Sequence, residues 1–502
     1  MDEVILNKAK NVKEFLKSFR LDNIDYSSFL LNLLDISISR GNDIIFIALV
    51  KDERIVCAGL FSKSKRQLLG INYNILYLYG YSFFDYNQVY ILPKFKNEFF
   101  ILLRKYSKLQ ALDLVLLENI KFPVLLINSI LQKKTIQIFD STLSSKGFTF
   151  IAGKKSLKRH RNIVKRDFEY KVKHLKGSMI LDENYQDLIY FHKERWAFDN
   201  VCSSFEDMTR INFYKNLKEN SLMTVITLNN ELLALHFGIL NDKRLIWHTP
   251  VLNVKFLEFS PIEVLLFETS NFCESNNLRF LDFGLGDETY KYRFSNSEEC
   301  IYDYIIPLNF RTRSLVLISK LLKNIYNLFN IAHLLKKGFS FFNRIKVVKN
   351  KINLYKLIEG DSIFELSNND VKFKKFTDYS EFVNFKRLTS SPVKRFQFLR
   401  FKEGDGYYCL HKGSNIICDG WSRSKSIFIS EIDKEYIFEK GSMLYDFNTI
   451  TSFRNKGYYK FLLKKIISIL NEDLYIYSLS DNIASNKAIK AVGFKLIRHN
   501  LK

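Results

Sequence analysis

Leu444-Tyr-Asp-Phe-Asn-Thr-Ile-Thr-Ser-Phe-Arg-Asn-Lys-Gly-Tyr-Tyr459 decides how this chain is read. Residues 444–450 have the composition of an apolar strand, and residues 454–457 form a basic turn ending in glycine. A segment of helical period, 459–467, opens directly after it. Strand, basic turn and helix N-terminus together gather backbone N–H groups around a phosphate, and the helix dipole favours negative charge there. Gly457 lets the backbone approach where a Cβ would obstruct it. The stretch therefore predicts a pyrophosphate cradle made by Ile450, Arg454, Asn455, Lys456, Gly457, Tyr458 and Tyr459. Asn482 and then Gly493-Phe494 follow it in order.

At 502 residues, two or three domains are expected, each with its own core. A hydrophobic fraction of 47%, with 15% aromatics, excludes a disordered chain. Lysine and arginine outnumber the acids 76 to 53, for a net charge of +23. A field of that sign favours phosphorylated substrates, nucleic acid and anionic membrane surfaces. Heavy Ile, Asn, Lys, Phe and Tyr usage also reads as a compositional bias that would raise the charge with no function attached. The six cysteines show no CxxC spacing and no Cys/His cluster, so reduced thiols are expected and no metal site. No signal-peptide pattern opens the chain and no apolar run is long enough to span a bilayer, so a cytoplasmic location is expected.

Three blocks emerge. In the first, strands at 44–50, 55–61 and 74–78 accompany a helix at 98–106. The second opens with a basic helix, 154–176, carrying Lys154, Lys155, Lys158, Arg159, Arg161, Lys165 and Arg166. Helices near 185–196 and 210–220 follow, then strands at 223–228, 232–240 and 244–250. Ser260-Pro261 reads as N-cap and first residue of a helix over 262–274. A strand, 280–283, then enters the turn Gly284-Leu-Gly286. The third block supplies further strands, the cradle, a helix, a strand at 474–477 and a last helix. Mixed strands with helices on both faces predict α/β (α+β) layers, repeated three times. Between blocks two and three, 313–349 carries Leu315, Ile318, Leu322, Ile325 and Phe329 at helical spacing, with lysines on other faces. It reads as a packed linker helix or as a basic amphipathic helix resting on anionic lipid.

The last block resembles a GNAT N-acetyltransferase domain. Such domains carry Arg/Gln-x-x-Gly-x-Gly/Ala at the helix that holds the coenzyme A pyrophosphate; Arg454, Gly457 and Tyr459 stand there, with tyrosine replacing the last small residue. The family's Asn ahead of Gly-Phe is met by Asn482 and Gly493-Phe494. Ile489 stands where many members have a tyrosine that protonates the leaving thiolate, which leaves Ser485 or water for that role. The resemblance implies acetyl-CoA, or another acyl-CoA, as co-substrate. The second block resembles CelD/BcsL-type acetyltransferases, on Arg195-Trp196 after Phe191-His192, then Ser260-Pro261, then Asp282-Phe-Gly-Leu-Gly-Asp287 with Tyr290-Lys291 and Arg293. Their fold is like that of FemAB peptidyltransferases, which pair two GNAT-like halves, and Asp85-Tyr86 fits the N-terminal half. The resemblances imply three GNAT-like units: an N-terminal half over 1–150, a CelD/BcsL-type half over 151–310, a linker over 311–354 and a C-terminal GNAT domain over 355–502.

Residue chemistry adds roles. Asp282 and Asp287 flank a glycine turn at a strand end, where a carboxylate can accept from an amine or hydroxyl, with Tyr290 and Lys291 beyond to orient substrate or protonate a leaving group. The alternative is that Asp282 caps the turn and Lys291 is solvated. Asp85, Tyr86, His192, Arg195, Trp196 and Arg293 are the expected substrate contacts, with His192 and Trp196 four apart on one helix face; a packed histidine and tryptophan is the alternative. Glu431 and Asp446 are base candidates by position. The basic helix reads as a solvated face, a phosphate grip or a tRNA track. The leading expectation is an acyl-CoA-dependent N- or O-acyltransferase acting on an amino sugar or another envelope-polysaccharide precursor. An aminoacyl-tRNA-dependent transferase and a non-catalytic docking module are the rivals.

Overall fold

The computed structural model describes the chain apart from residues 22–29, 32, 36, 39–42, 69–70, 80–85, 88, 121–129, 207, 218–219, 242, 287, 311, 315–350, 359–369, 390, 433 and 502. It divides into two compact units, Met1–Arg195 with Cys202–Ile325, and Trp196–Val201 with Tyr326–Lys502. The mixed α/β architecture expected from the sequence is what is found.

In the first unit, β1 (Asp2–Leu6) and helix α1 (Ala9–Ser18) precede an antiparallel run of β2 (Ile45–Lys51), β3 (Arg54–Leu68) and β4 (Ile71–Leu78). A short β5 (Tyr90–Ile91) pairs with β3. The chain then crosses through α2 (Lys96–Leu109) to β6 (Leu114–Ile120), parallel to β4, and continues as β7 (Ile130–Asp140). After α3 (Lys155–Asp167) come β8 (Tyr170–Lys176), α4 (Asp182–Phe198), α5 (Thr209–Asn216), β9 (Ser221–Leu228), β10 (Glu231–Asn241) and β11 (Arg244–Leu252). A second crossover, α6 (Pro261–Ser275), leads to β12 (Phe280–Asp282), parallel to β11, then to α7 (Thr289–Phe294) and β13 (Ser297–Pro307).

All these strands belong to one sheet, in the order β1-β2-β3-β4-β6-β13-β7-β12-β11-β10-β9-β8. The two βαβ crossovers exchange their closing strands. β13 lies between β6 and β7, and β7 lies between β13 and β12. Neither half can leave without breaking a ladder of the other.

The second unit contains β14 (Ile352–Leu357), β15 (Lys372–Phe376), α8 (Tyr379–Leu388), α9 (Arg395–Lys402) and the antiparallel β16 (Gly406–Lys412), β17 (Asn415–Ile429) and β18 (Lys434–Thr449). A third crossover, α10 (Tyr458–Ile469), leads to β19 (Leu474–Leu479), parallel to β18; α11 (Ile483–Lys490) and β20 (Phe494–Leu501) follow. Sheet order is β15-β16-β17-β18-β19-β14-β20, so the strand that enters first sits between two of the last three. Helix α10 forms because Tyr458, Leu462, Leu463 and Ile466 recur on one face, which is buried on Leu410, Ile417, Leu444 and Ile476. Burying those four side chains is worth about 2 kcal/mol each.

Two local expectations are corrected. The basic helix ends at Asp167, not at residue 176, because Tyr170-Lys-Val-Lys-His-Leu-Lys176 alternates with period two and pairs with β9. Ser260 does precede α6, with Pro261 in its first turn, but its φ is 52° and its hydroxyl makes no cap bond. The expected linker helix lies almost entirely outside the described residues, as do Asp85 and Asp287.

Candidate functional site

In the second unit, β18 and β19 pair only from Ser442–Leu474 to Leu444–Ile476. Both strands run on, to Thr449 and Leu479, without pairing, so a fork opens between them. A 3-10 turn, Thr451–Phe453, leads from β18 into the loop ahead of α10. Asn455 (φ 61°) and Gly457 (φ 81°) are both left-handed there, and Gly457 is the N-cap of α10. That alternation turns successive N–H groups to one side, and the first turn of α10 adds donors that have no intrahelical acceptor. The cradle thus fits an anionic diphosphate beside the fork. Arg454 and Lys456 fold back, donating to the carbonyls of Thr449 (3.0 Å) and Ser452 (3.1 Å). The Ile450 N–H is already given to the Ile417 carbonyl at 3.0 Å, so it is not a spare oxyanion donor.

On the α10 face of the fork, the Tyr459 ring packs on Phe447 at 5.3 Å between centroids, and its hydroxyl lies 3.4 Å from Ser485 Oγ. Burial pushes the Tyr459 hydroxyl well above its ordinary pKa. Asn482 caps α11, its side chain accepting from the Ser485 N–H at 3.1 Å. Ile489 is fully buried in the core beneath these helices. A hydroxyl pair, Tyr459 and Ser485, therefore stands near where Ile489 leaves no hydroxyl.

The opposite face of the fork, toward α9, holds groups the sequence did not bring together. Asp446 has φ 52°, and the β17–β18 register slips between Asp419 and Trp421, so two residues of β18 oppose Gly420. This bulge sends Tyr445 and Phe447 to opposite faces, where a regular strand would put them on one. A Cβ on Gly420 would sit 2.3 Å from the Phe447 ring, so glycine is required opposite it. Arg400 of α9 donates to Asp446 Oδ2 at 2.7 Å and lies over Trp421 and Tyr445, 5.0 and 4.9 Å from their centroids. The hydroxyl pKa of Tyr477 of β19 is pushed up by burial first, then by the Glu431 and Asp446 carboxylates. Nearby, Asp405 takes a bidentate pair from Arg423 at 2.6 and 2.7 Å and a hydrogen bond from the Tyr445 hydroxyl.

In the first unit the parallel pairing of β11 and β12 likewise stops at Ile246–Asp282 while β11 runs on to Leu252. Asp282 is fully buried at this point. Its carboxylate accepts from the Tyr86 hydroxyl, from the Gly284 N–H at 3.0 Å and from Arg244 Nη1 at 2.7 Å. Arg244 also grips Glu299 at 2.5 and 3.1 Å. Asp282 and Tyr86, expected in separate roles, are thus bonded to one another, and Arg244 is a partner that sequence reasoning missed. Lys291 is buried rather than solvated: its ammonium donates to the Leu285 carbonyl and pairs with Glu288 at 2.8 Å, which pins the turn around Gly284 (φ 69°) and Gly286 (φ 109°). Tyr290 meets Phe283 edge-on at 6.3 Å. Arg293 is held by Ser156 and by Glu263 at 2.8 Å, and Glu263 also takes His160 at 2.8 Å, so two side chains converge on Glu263 in the first turn of α6.

The expected substrate contacts on α4 separate. His192 turns inward, 2.8 Å from Ser203 Oγ and edge-on to Phe205 at 4.4 Å, and burial with the Arg210 and Arg195 charges lowers its pKa to about 4. Trp196, one turn on, is 41% exposed. Arg195 is half-buried on the same helix. Along α3, Gly153, Lys155, Lys158, Arg159, Asn162 and Arg166 line a shallow groove of about 570 Å³.

Residues 155–292 match the family model of the acetyltransferase (GNAT) domain. This part of the chain, from α3 through the β11–α6–β12 crossover to α7, is a GNAT-superfamily acyltransferase domain. No curated protein matches the chain. Similar solved structures include FemX, 10% identical with a TM-score of 0.42, over 63% of this chain and 100% of that one. L-PGS from Bacillus licheniformis is 10% identical with a TM-score of 0.40, over 62% of this chain and 96% of that one. A GCN5-related N-acetyltransferase from Kribbella flavida is 11% identical with a TM-score of 0.31, over 61% and 72%. Among the described residues, no helix is long and apolar enough to cross a membrane.

Proposed function

We propose that the chain is an acyl-CoA-dependent N- or O-acyltransferase, transferring acetyl to an amino sugar or another cell-envelope polysaccharide precursor. The observation that carries this reading is the β18–β19 fork opening beside the left-handed Gly457 at the head of α10. Bound there, acyl-CoA supplies an activated thioester. The chain's residues hold its diphosphate through the backbone of 454–459, and unpaired N–H groups along the fork edge of β18 polarise the acyl carbonyl. Tyr459 and Ser485 stand on the α10 side to return a proton to the leaving sulfur. In the first unit, Asp282, Tyr86 and Lys291 hold the β12 turn in shape. We place the protein at the inner side of the membrane or free in the cytoplasm, without a metal.

Calorimetry with acetyl-CoA on the full chain tests this. Binding should be present and be lost, by ~100-fold or more in Kd, in Gly457→Glu, whose carboxylate and Cβ both enter the diphosphate position. Absence of binding by the unmodified chain sinks the reading. The cationic groove along α3 supports a second reading, an aminoacyl-tRNA donor. RNA that copurifies, seen as nuclease-sensitive absorbance at 260 nm, would favour it.

A further inference from the structure

Helix α3 sorts its basic side chains between two faces. On the inner face Leu157 and Val164 are buried with Val264 and Leu265 of α6, and the basic residues beside them are matched, His160 by Glu263 at 2.8 Å and Arg161 by Glu268 at 3.3 Å. On the outer face Lys155, Lys158, Arg159, Lys165 and Arg166 are exposed, with Asn162 among them. Asp167 is the one acid in the helix, and Arg166 takes it at 2.6 and 2.8 Å. Among the described residues, Lys155, Lys158 and Lys165 have no acid partner. At 100° per residue the five outer cations fall within about a third of the helix circumference, in a stripe about 17 Å long. Charges of one sign set three and four apart repel, a cost that packing inside the unit does not require.

Two apolar side chains accompany the stripe. Ile163 lines the same shallow groove as Lys155, Lys158, Arg159 and Arg166. Phe150, three residues ahead of the groove's Gly153, stacks on Phe139 at 5.9 Å between centroids yet stays 41% exposed, with the Lys154 ammonium 4.7 Å from its ring centre. The described lining of the groove comes from α3 and Gly153 alone, so the cations lie along a line on an open face rather than around a channel. We propose that this face of α3 docks the first unit on an anionic phospholipid bilayer. A plane of phosphates over an apolar layer complements it. The ammonium and guanidinium groups meet the headgroups, while the lysine stems, Ile163 and Phe150 enter the boundary beneath them. A nucleic-acid backbone complements the charges but has no use for the aliphatic groups between them. The docking face is independent of the acyl-CoA reading, since none of its residues belongs to the β18–β19 fork or to the network at Asp282.

Co-sedimentation of the full chain with vesicles tests this, comparing phosphatidylglycerol mixed into phosphatidylcholine with phosphatidylcholine alone. The chain should partition onto the anionic vesicles, release as salt is raised, and ignore the neutral ones. A lysine near an anionic surface is worth about fivefold in partition, so the combined Lys155→Gln, Lys158→Gln and Lys165→Gln variant should bind about 100-fold more weakly. Arginine at the same three positions should preserve binding, because the contact is to charge. Phe150→Ser should weaken binding by about fivefold through lost apolar contact. Equal partition onto both kinds of vesicle would overturn the proposal. So would a glutamine variant that binds vesicles like the unmodified chain, since another surface would then carry the contact. If that variant instead loses bound RNA while its vesicle binding is unchanged, α3 tracks RNA and the proposal falls. Acetyl-CoA calorimetry on the same variants reads the Gly457 cradle separately, so failure of docking and failure of the acyl-CoA reading are told apart.

Discussion

Asp282 illustrates how a residue legible by type can be illegible by partner. Its place at a strand end before a glycine turn is visible in the sequence. Its donors are not: Arg244 lies 38 residues away and Tyr86 196 residues away. With these donors on one buried carboxylate, removal takes from the Tyr86 phenol this acceptor and leaves the largely buried Arg244 with Glu299 as its acid partner. Asp282→Ala should therefore cost about 3–5 kcal/mol, and Tyr86→Phe only about 1 kcal/mol. Urea unfolding midpoints of the two variants would reveal this order. Equal effects would contradict it. The same contrast applies to Asp446, whose position suggested a base but whose aim depends on a bulge that period-two reading does not register.

At the scale of the element, the crossovers through α6 and α10 were readable because each is local, whereas β6, which closes the first crossover, was not read. Apolar alternation, a turn with glycine or proline, and a helical stripe sit in one continuous stretch, as in β18, the 454–457 loop and α10. The boundary of α3 was misread because its lysines continue past the point where the period changes from helical to alternating. The position of β14 was not readable at all. It pairs with β19 on one side and β20 on the other, so it fills the middle of one half of the sheet. A fragment covering 351–502 should consequently fold, whereas 370–502 should lose its sheet. Circular dichroism and acetyl-CoA binding on both fragments would show the difference. A folded 370–502 would mean that β19 and β20 pair without it.

For the molecule as a whole, buried histidines couple the stability of the first unit to pH. Burial lowers His192 to about 4 and His236 to about 3, from an ordinary value of 6.5. Between those values and 6.5 the unfolded chain binds protons that the folded chain does not. Stability is therefore complete above about pH 6.5 and falls as the solution is acidified. Going from pH 7 to pH 5 should cost about 2 kcal/mol for each of the two. Urea midpoints at the two pH values check the sign, and His192→Gln should reduce the slope.

By itself the sequence determined the mixed α/β layers, two of the strand–helix–strand crossovers and the special backbone at Gly457. These follow from side-chain period and from where a Cβ is tolerated, and both are written in neighbouring residues. Only the tertiary structure decided which strand closes each crossover and that Tyr86 and Arg244 hold Asp282. It alone brought Arg400 and Asp446 together on one face of a fork. Ladders and charge pairs join residues far apart in the chain, and only the packing of the elements makes them neighbours.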